Sequence, residues 1–127
     1  MQFSGQVIKG DGYGRIVGYP TVNIDRDDYL AQKLDLKHGI YAGFVTLETS
    51  QKNYLSGIVI GPFDTGGLPK LEAHLIDFSG DLYGEMVTFY IFKHIRPFKV
   101  YETKEALRVD IEKDITAIKE MNLCLPE

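Results

Sequence analysis

The segment Lys70-Leu71-Glu72-Ala73-His74-Leu75-Ile76-Asp77-Phe78 alternates, with Leu71, Ala73 and Leu75 on one face of an extended chain and Glu72, His74 and Ile76 on the other. A period of two marks a half-buried strand, here predicted over residues 71–78. Four more runs carry the same β-branched and aromatic signature, from Phe3 to Lys9, Ile40 to Leu47, Tyr54 to Ile60 and Glu85 to Ile95, with a weaker extended piece around Thr21 to Ile24. Between most of them no segment is long enough for a helical crossover, so the pairing is expected to be antiparallel. Only the C-terminal region changes period: Leu107, Ile111, Ile115 and Ile118 form one apolar stripe on a helix, with Thr103 as its N-cap, Glu105 in its first turn and Pro126 beyond its end. That helix is expected to pack on the barrel as a lid or plug. The polar stretch from Asp25 to Lys37 reads as a short helix or a mobile loop.

The chain has 127 residues, 44% hydrophobic and 25% charged, which fits one globular domain over residues 1–127. A formal net charge of −4 provides no broad basic surface for a nucleic acid or an anionic membrane. Cys124 is the sole cysteine, as expected of a reducing cytoplasm, and no apolar run reaches the ~20 residues that span a bilayer. The start, Met1 to Gln6, lacks the basic and apolar regions of a secretory signal.

The most unusual stretch is Lys9-Gly10-Asp11-Gly12-Tyr13-Gly14-Arg15-Ile16-Val17-Gly18-Tyr19-Pro20-Thr21-Val22-Asn23. Glycines at 10, 12, 14 and 18 allow positive φ and close approach, and successive free amides make a concavity for phosphate; the ordinary alternative is a long hairpin. A Walker A sequence, the Rossmann glycine spacing and the protein-kinase motifs are all absent from the sequence. In the extended Pro20-Thr21-Val22-Asn23 piece, Thr21 and Asn23 point to one side, so a hydroxyl and an amide oxygen converge. Hard cations such as Mg²⁺ favour such ligands when nucleotide phosphates complete the shell, whereas turn capping is the commoner use of the pair. Glu72 is a candidate general base for phosphoryl transfer to an alcohol, against the commoner fate of a solvated strand glutamate. His74 reads as a hydrogen-bonded strand histidine, since His38 and His94 show no metal-ligand spacing with it.

In order along the chain, Gly5-Gln6-Val7, Gly18-Tyr19-Pro20-Thr21-Val22-Asn23, Gly39-Ile40-Tyr41-Ala42, Leu71-Glu72-Ala73-His74, Asp81-Leu82-Tyr83-Gly84 and Arg96-Pro97-Phe98-Lys99-Val100-Tyr101 resemble the riboflavin kinase (flavokinase) family. The similarity runs from Gly5 to about Asp114 and includes nothing like the His-x-Gly-His motif of the FAD-synthesising module fused to this kinase in many bacteria. It implies a mainly β fold, a closed Greek-key antiparallel barrel of about six strands with a C-terminal α-helix. It further implies a kinase that transfers the γ-phosphate of ATP to the ribityl 5′-hydroxyl of riboflavin with Mg²⁺ or another divalent cation, giving FMN. By that resemblance Thr21 and Asn23 hold the metal, and Gly10, Arg15, Thr21, Leu75, Asp77 and Tyr83 line the nucleotide site. Glu72 takes the hydroxyl proton, and Arg96, Lys99 and Tyr101 shape the flavin loop. The expected partners are riboflavin/FMN and ATP/ADP, without nucleic acid or membrane, around a cytoplasmic monomer. Three departures stand out: Val22 in place of alanine, Tyr101 in place of an apolar aromatic, and an altered connection from Ile60 to Gly67. The alternative is a flavin- or nucleotide-binding barrel without catalysis, a sensor or carrier. A third reading, a single-stranded nucleic-acid barrel drawing on eight tyrosines and seven phenylalanines, is opposed by the acidic balance.

Overall fold

The computed structural model describes residues 1–8, 19, 21–34, 36–63 and 67–124. Six strands, β1 (Gln2–Ile8), β2 (Val22–Ile24), β3 (Gly39–Leu47), β4 (Asn53–Phe63), β5 (Pro69–Leu75) and β6 (Met86–Arg96), close into a barrel in the order β1-β2-β5-β4-β3-β6. Every pairing is antiparallel, and β1 against β6 shuts the barrel. The fold is the expected Greek-key barrel with a C-terminal helix. A short helix α1 (Asp27–Ala31) sits in the polar stretch, its Tyr29 ring edge-on to Phe3 at 5.2 Å between centroids. The long helix α2 (Lys104–Glu120) begins where Thr103 accepts a hydrogen bond from the Ala106 N–H through its hydroxyl oxygen. Among the described residues, no helix is long and apolar enough to cross a membrane.

Alternation builds two separate apolar regions. Inside the barrel, Phe3, Val7, Ile24, Val45, Ile58, Ile60, Leu71, Ala73, Leu75 and Phe89 form the core. Outside it, a smaller cluster of Ala42, Ile76 and Ile118 fastens α2 to the wall, with Leu55, Ile95 and Ile115 packed around it. Strand β5 ends at Leu75, three residues short of the expected boundary, and Asp77 lies in the left-handed region at φ 61°. Turn geometry there overrides the apolar character of Ile76 and Phe78, and Ile76 turns its side chain under α2.

Two register shifts in the β3–β6 pair, between Ile40 and Tyr41 and between Ala42 and Gly43, each leave β6 one residue longer than its partner. Such bulges bend the strand that carries them. The bend precedes Arg96, the last residue of β6, which lines the cleft described next.

Candidate active site

On the outer wall of the barrel, a cavity of about 400 Å³ opens between strands β3 to β5, helix α2 and the loop that joins β6 to α2. The volume lies in the range typical of small-molecule sites. Because Leu71, Ala73 and Leu75 are committed to the core, the opposite face of β5 presents Lys70, Glu72 and His74 to this cleft. The register of β2 against β5 sets Asn23 directly across from Glu72. Residues so paired have Cβ atoms about 4.5–5.5 Å apart on the same face. Thr21, two residues before Asn23, also lines the cavity.

The far wall is apolar. Leu107, Ile111, Ile115 and Ile118, the predicted stripe, face Ile40 and Val59 across the space. Close approach is possible because β4 carries glycine on its outer face: the Ile118 side chain would lie 3.4 Å from a Cβ at Gly57, and the Phe98 ring 3.0 Å from one at Gly61. A larger residue at Gly61 would push Phe98 away from the wall.

Charged groups gather where the loop meets the helix. Arg96 donates from Nε to Asp114 Oδ1 at 2.9 Å and from Nη2 to Asp114 Oδ2 at 2.7 Å, a two-point pair. The hydrogen bonds to Asp114 raise the affinity of the guanidinium for its proton against an opposing cost of burial. The Tyr101 hydroxyl donates to Asp110 Oδ2 at 2.7 Å. Burial first, and then this hydrogen bond, push the phenol above its ordinary range. The same bond from Tyr101 holds the Asp110 carboxyl below the usual carboxylate range, helped by the charges of Arg96 and Lys99 and opposed by burial. Lys99 Nζ lies 5.3 Å from the Tyr101 ring centroid, within cation–π reach. Opposite, Tyr19 donates its hydroxyl to Glu112 Oε1 at 2.8 Å and sets its ring edge-on to His74 at 5.5 Å. Lys70 Nζ stands 3.7 Å from Glu72 Oε1.

The cleft therefore brings together Thr21, Glu72, Arg96, Lys99 and Tyr101, with Asn23 beside Glu72 in the sheet. Leu75, Asp77 and Tyr83 lie apart from its lining: the Leu75 side chain is in the core, Asp77 is exposed with its carboxylate 3.9 Å from Lys119 Nζ, and Tyr83 is exposed. Gly10, Arg15 and Pro20, with most of the glycine-rich segment, fall outside the described residues, as do residues 64–66 of the altered connection and Pro126. Sequence reasoning passed over Lys70, Asp110 and Asp114, and it set His74 aside as a strand residue. The signal for the two aspartates was their spacing, four residues apart on the helix beside a basic loop.

An apolar slot on the outer wall of a closed barrel, bordered by a carboxylate and by basic and aromatic side chains, has the general make-up of a small-molecule site. A family model described as riboflavin kinase (flavokinase) matches residues 1–122. The bifunctional riboflavin kinase/FMN adenylyltransferase of Buchnera aphidicola subsp. Schizaphis graminum is 34% identical over 119 residues, 91% of this chain and 37% of that protein. An RNA-binding riboflavin kinase of Bacillus subtilis is 33% identical over 116 residues, 91% of this chain and 48% of that protein. A crystal structure of riboflavin kinase from Trypanosoma brucei shares the fold with a TM-score of 0.68 at 22% identity, over 94% of this chain and 78% of that one. The chain belongs to the riboflavin kinase family, and it spans less than half the length of these two curated relatives.

Proposed function

We propose that this chain transfers the γ-phosphate of ATP to the ribityl 5′-hydroxyl of riboflavin, giving FMN and ADP. The observation that carries the reading is the register that sets Glu72 against Asn23, with Thr21 on the same cavity and the Arg96–Tyr101 loop at its other side. The isoalloxazine ring suits the apolar slot between Val59, Ile40 and the stripe of α2, which leaves the ribityl chain to run along the wall toward Glu72.

The transfer is a single in-line displacement. The 5′-oxygen forms a bond to the γ-phosphorus as the bond from that phosphorus to the β–γ bridging oxygen breaks, and ADP leaves. Glu72 accepts the hydroxyl proton, a role that suits a carboxylate almost enclosed by the cleft, with a side chain 13% exposed. Helix α2 and the loop cover the slot and keep water from competing with the alcohol. A divalent cation fits the donors present. Thr21 and Asn23 supply two neutral oxygens, and the described residues include no cluster of three or more His, Cys, Asp or Glu able to hold a metal, so phosphate oxygens would complete the shell. Such a cation supplies charge neutralisation on the phosphates.

The test is chromatography of riboflavin incubated with the protein and Mg-ATP, which should show FMN. Glu72→Gln should lower turnover about 10²- to 10⁴-fold while leaving quenching of riboflavin fluorescence within a few-fold of wild type. Normal turnover in that variant would remove Glu72 from its role. Quenching without FMN in the wild type would favour a carrier or sensor.

A further inference from the structure

Helix α2 is held to the barrel in two different ways along its length. Its C-terminal half is packed, with Ile118 fully buried against Ala42 and Ile76. Its middle, around Asp110 and Asp114, meets the end of β6 and the β6–α2 loop through polar contacts. Asp114 takes two N–H groups of Arg96, and one turn earlier Asp110 takes the Tyr101 hydroxyl and lies 4.0 Å from Lys99 Nζ. The Arg96 guanidinium lies 5.9 Å from the centroid of the Tyr101 ring. Arg96 at the end of β6 and the loop side chains Lys99 and Tyr101 thus each meet a carboxylate of the helix.

A two-point pair fixes the plane of a guanidinium as well as its position, and Asp114, 12% exposed, makes it largely shielded from water. Both Asp114 oxygens are already engaged by Arg96, and the Asp110 oxygen nearest the loop holds Tyr101. We propose that Asp114 and Asp110 are positioning residues for flavin binding: acting through Arg96 and Tyr101, they set the loop in its receiving geometry before the ring arrives. The proposal rests on the riboflavin kinase reading for its ligand. Ordering the loop in advance lowers the cost of ordering it on binding, so its loss falls on flavin affinity more heavily than on phosphoryl transfer.

The experiment has a ligand-free arm and a kinetic arm. In the free protein, Asp114→Asn should speed amide hydrogen exchange across residues 98–102 by about tenfold or more, while the strands keep their protection. In steady state the same variant should raise KM for riboflavin roughly ten- to a hundredfold, with a much smaller change in kcat and in KM for ATP, and Asp114→Glu should recover a large part of it. In a double-mutant cycle, Asp110→Asn should add nothing to Tyr101→Phe if Asp110 acts through that hydroxyl. Unchanged loop exchange, or a KM for riboflavin equal to wild type in Asp114→Asn, would overturn the proposal. Wild-type protein that neither binds nor phosphorylates riboflavin would instead overturn the assigned ligand, and the exchange arm would still decide whether the carboxylates order the loop.

Discussion

Truncating Ile118 to alanine tests how the cleft is built. The side chain is fully buried, and it is the only residue of α2 that is. Its neighbours are Ala42 and Ile76, and a Cβ at Gly57 would lie 3.4 Å from its Cδ1. Buried Ile-to-Ala changes cost about 2–5 kcal/mol depending on how far the site collapses. Here the cluster is small and a tilt of the helix can close part of the void, so the expected cost is about 3 kcal/mol, in the lower half of that range. An unfolding entropy of about 2.1 cal/mol/K per residue, taken over 127 residues, is about 0.27 kcal/mol/K, which converts that cost to a fall in Tm of about 11 °C. Thermal unfolding followed by circular dichroism reads it directly. Val109→Ala, at a helix position 39% exposed, is the control and should move Tm by no more than about 2 °C. Because Ile118 also lines the cleft, Ile118→Ala should weaken riboflavin quenching as well. A Tm within about 3 °C of wild type would mean that α2 is not anchored at this point, and the cleft would lose its fourth wall.

A Cβ at Gly43 would collide with the Tyr90 carbonyl oxygen beside the bulge and stand 3.0 Å from Ile58 Cδ1. Gly43→Ala should therefore cost about 3 kcal/mol or more in urea unfolding, and wild-type stability would refute the tight contact between β3 and β6. Asp110, whose carboxyl is depressed by Tyr101 first and then by Arg96 and Lys99, binds a proton less readily in the folded state than in the unfolded chain. Its contribution is thus present above the ordinary aspartate value near pH 4 and lost as pH falls through the lower folded value. The Tm gap between wild type and Asp110→Asn should shrink from about pH 6 to about pH 3, and a gap constant across that window would refute the assignment.

The strands were legible because each half-exposed strand repeats every second residue, and the helix because its stripe repeats every three or four. What that pattern could not carry was the pair of bulges in β6: an inserted residue leaves the apolar periodicity readable on both sides, and the bend that precedes Arg96 depends on it. The end of β5 was missed because Ile76 and Phe78 are strand-favouring residues by type, although they fall off the inward face and Asp77 has already left the strand. The stripe of α2 also reads the same whether it meets a packed wall or a slot, so the cavity in front of Leu107 and Ile111 was invisible. Glu72 and Asn23 meet through strand order alone, far apart in the chain, and only the family resemblance linked them beforehand. Asp110 and Asp114 look like ordinary solvated positions until the loop folds onto them.

Placing the site on the outer wall gives the core a second role. In β2 and β5 each inward residue fixes the direction of its neighbours: Ile24 and Ala73 are fully buried, so Asn23 and Glu72 must face outward together. A slip of one residue in either strand would carry a carboxylate or an amide into the barrel and an apolar group into the cleft. The burial of an unpaired charge opposes that slip far more strongly than the hydrogen bonds of a three-residue strand could. The precision of the pair across β2 and β5 therefore comes from packing on the other side of the sheet. Substitutions at Ile24 or Ala73, which never touch a ligand, should accordingly disturb the geometry around Glu72 before they unfold the chain.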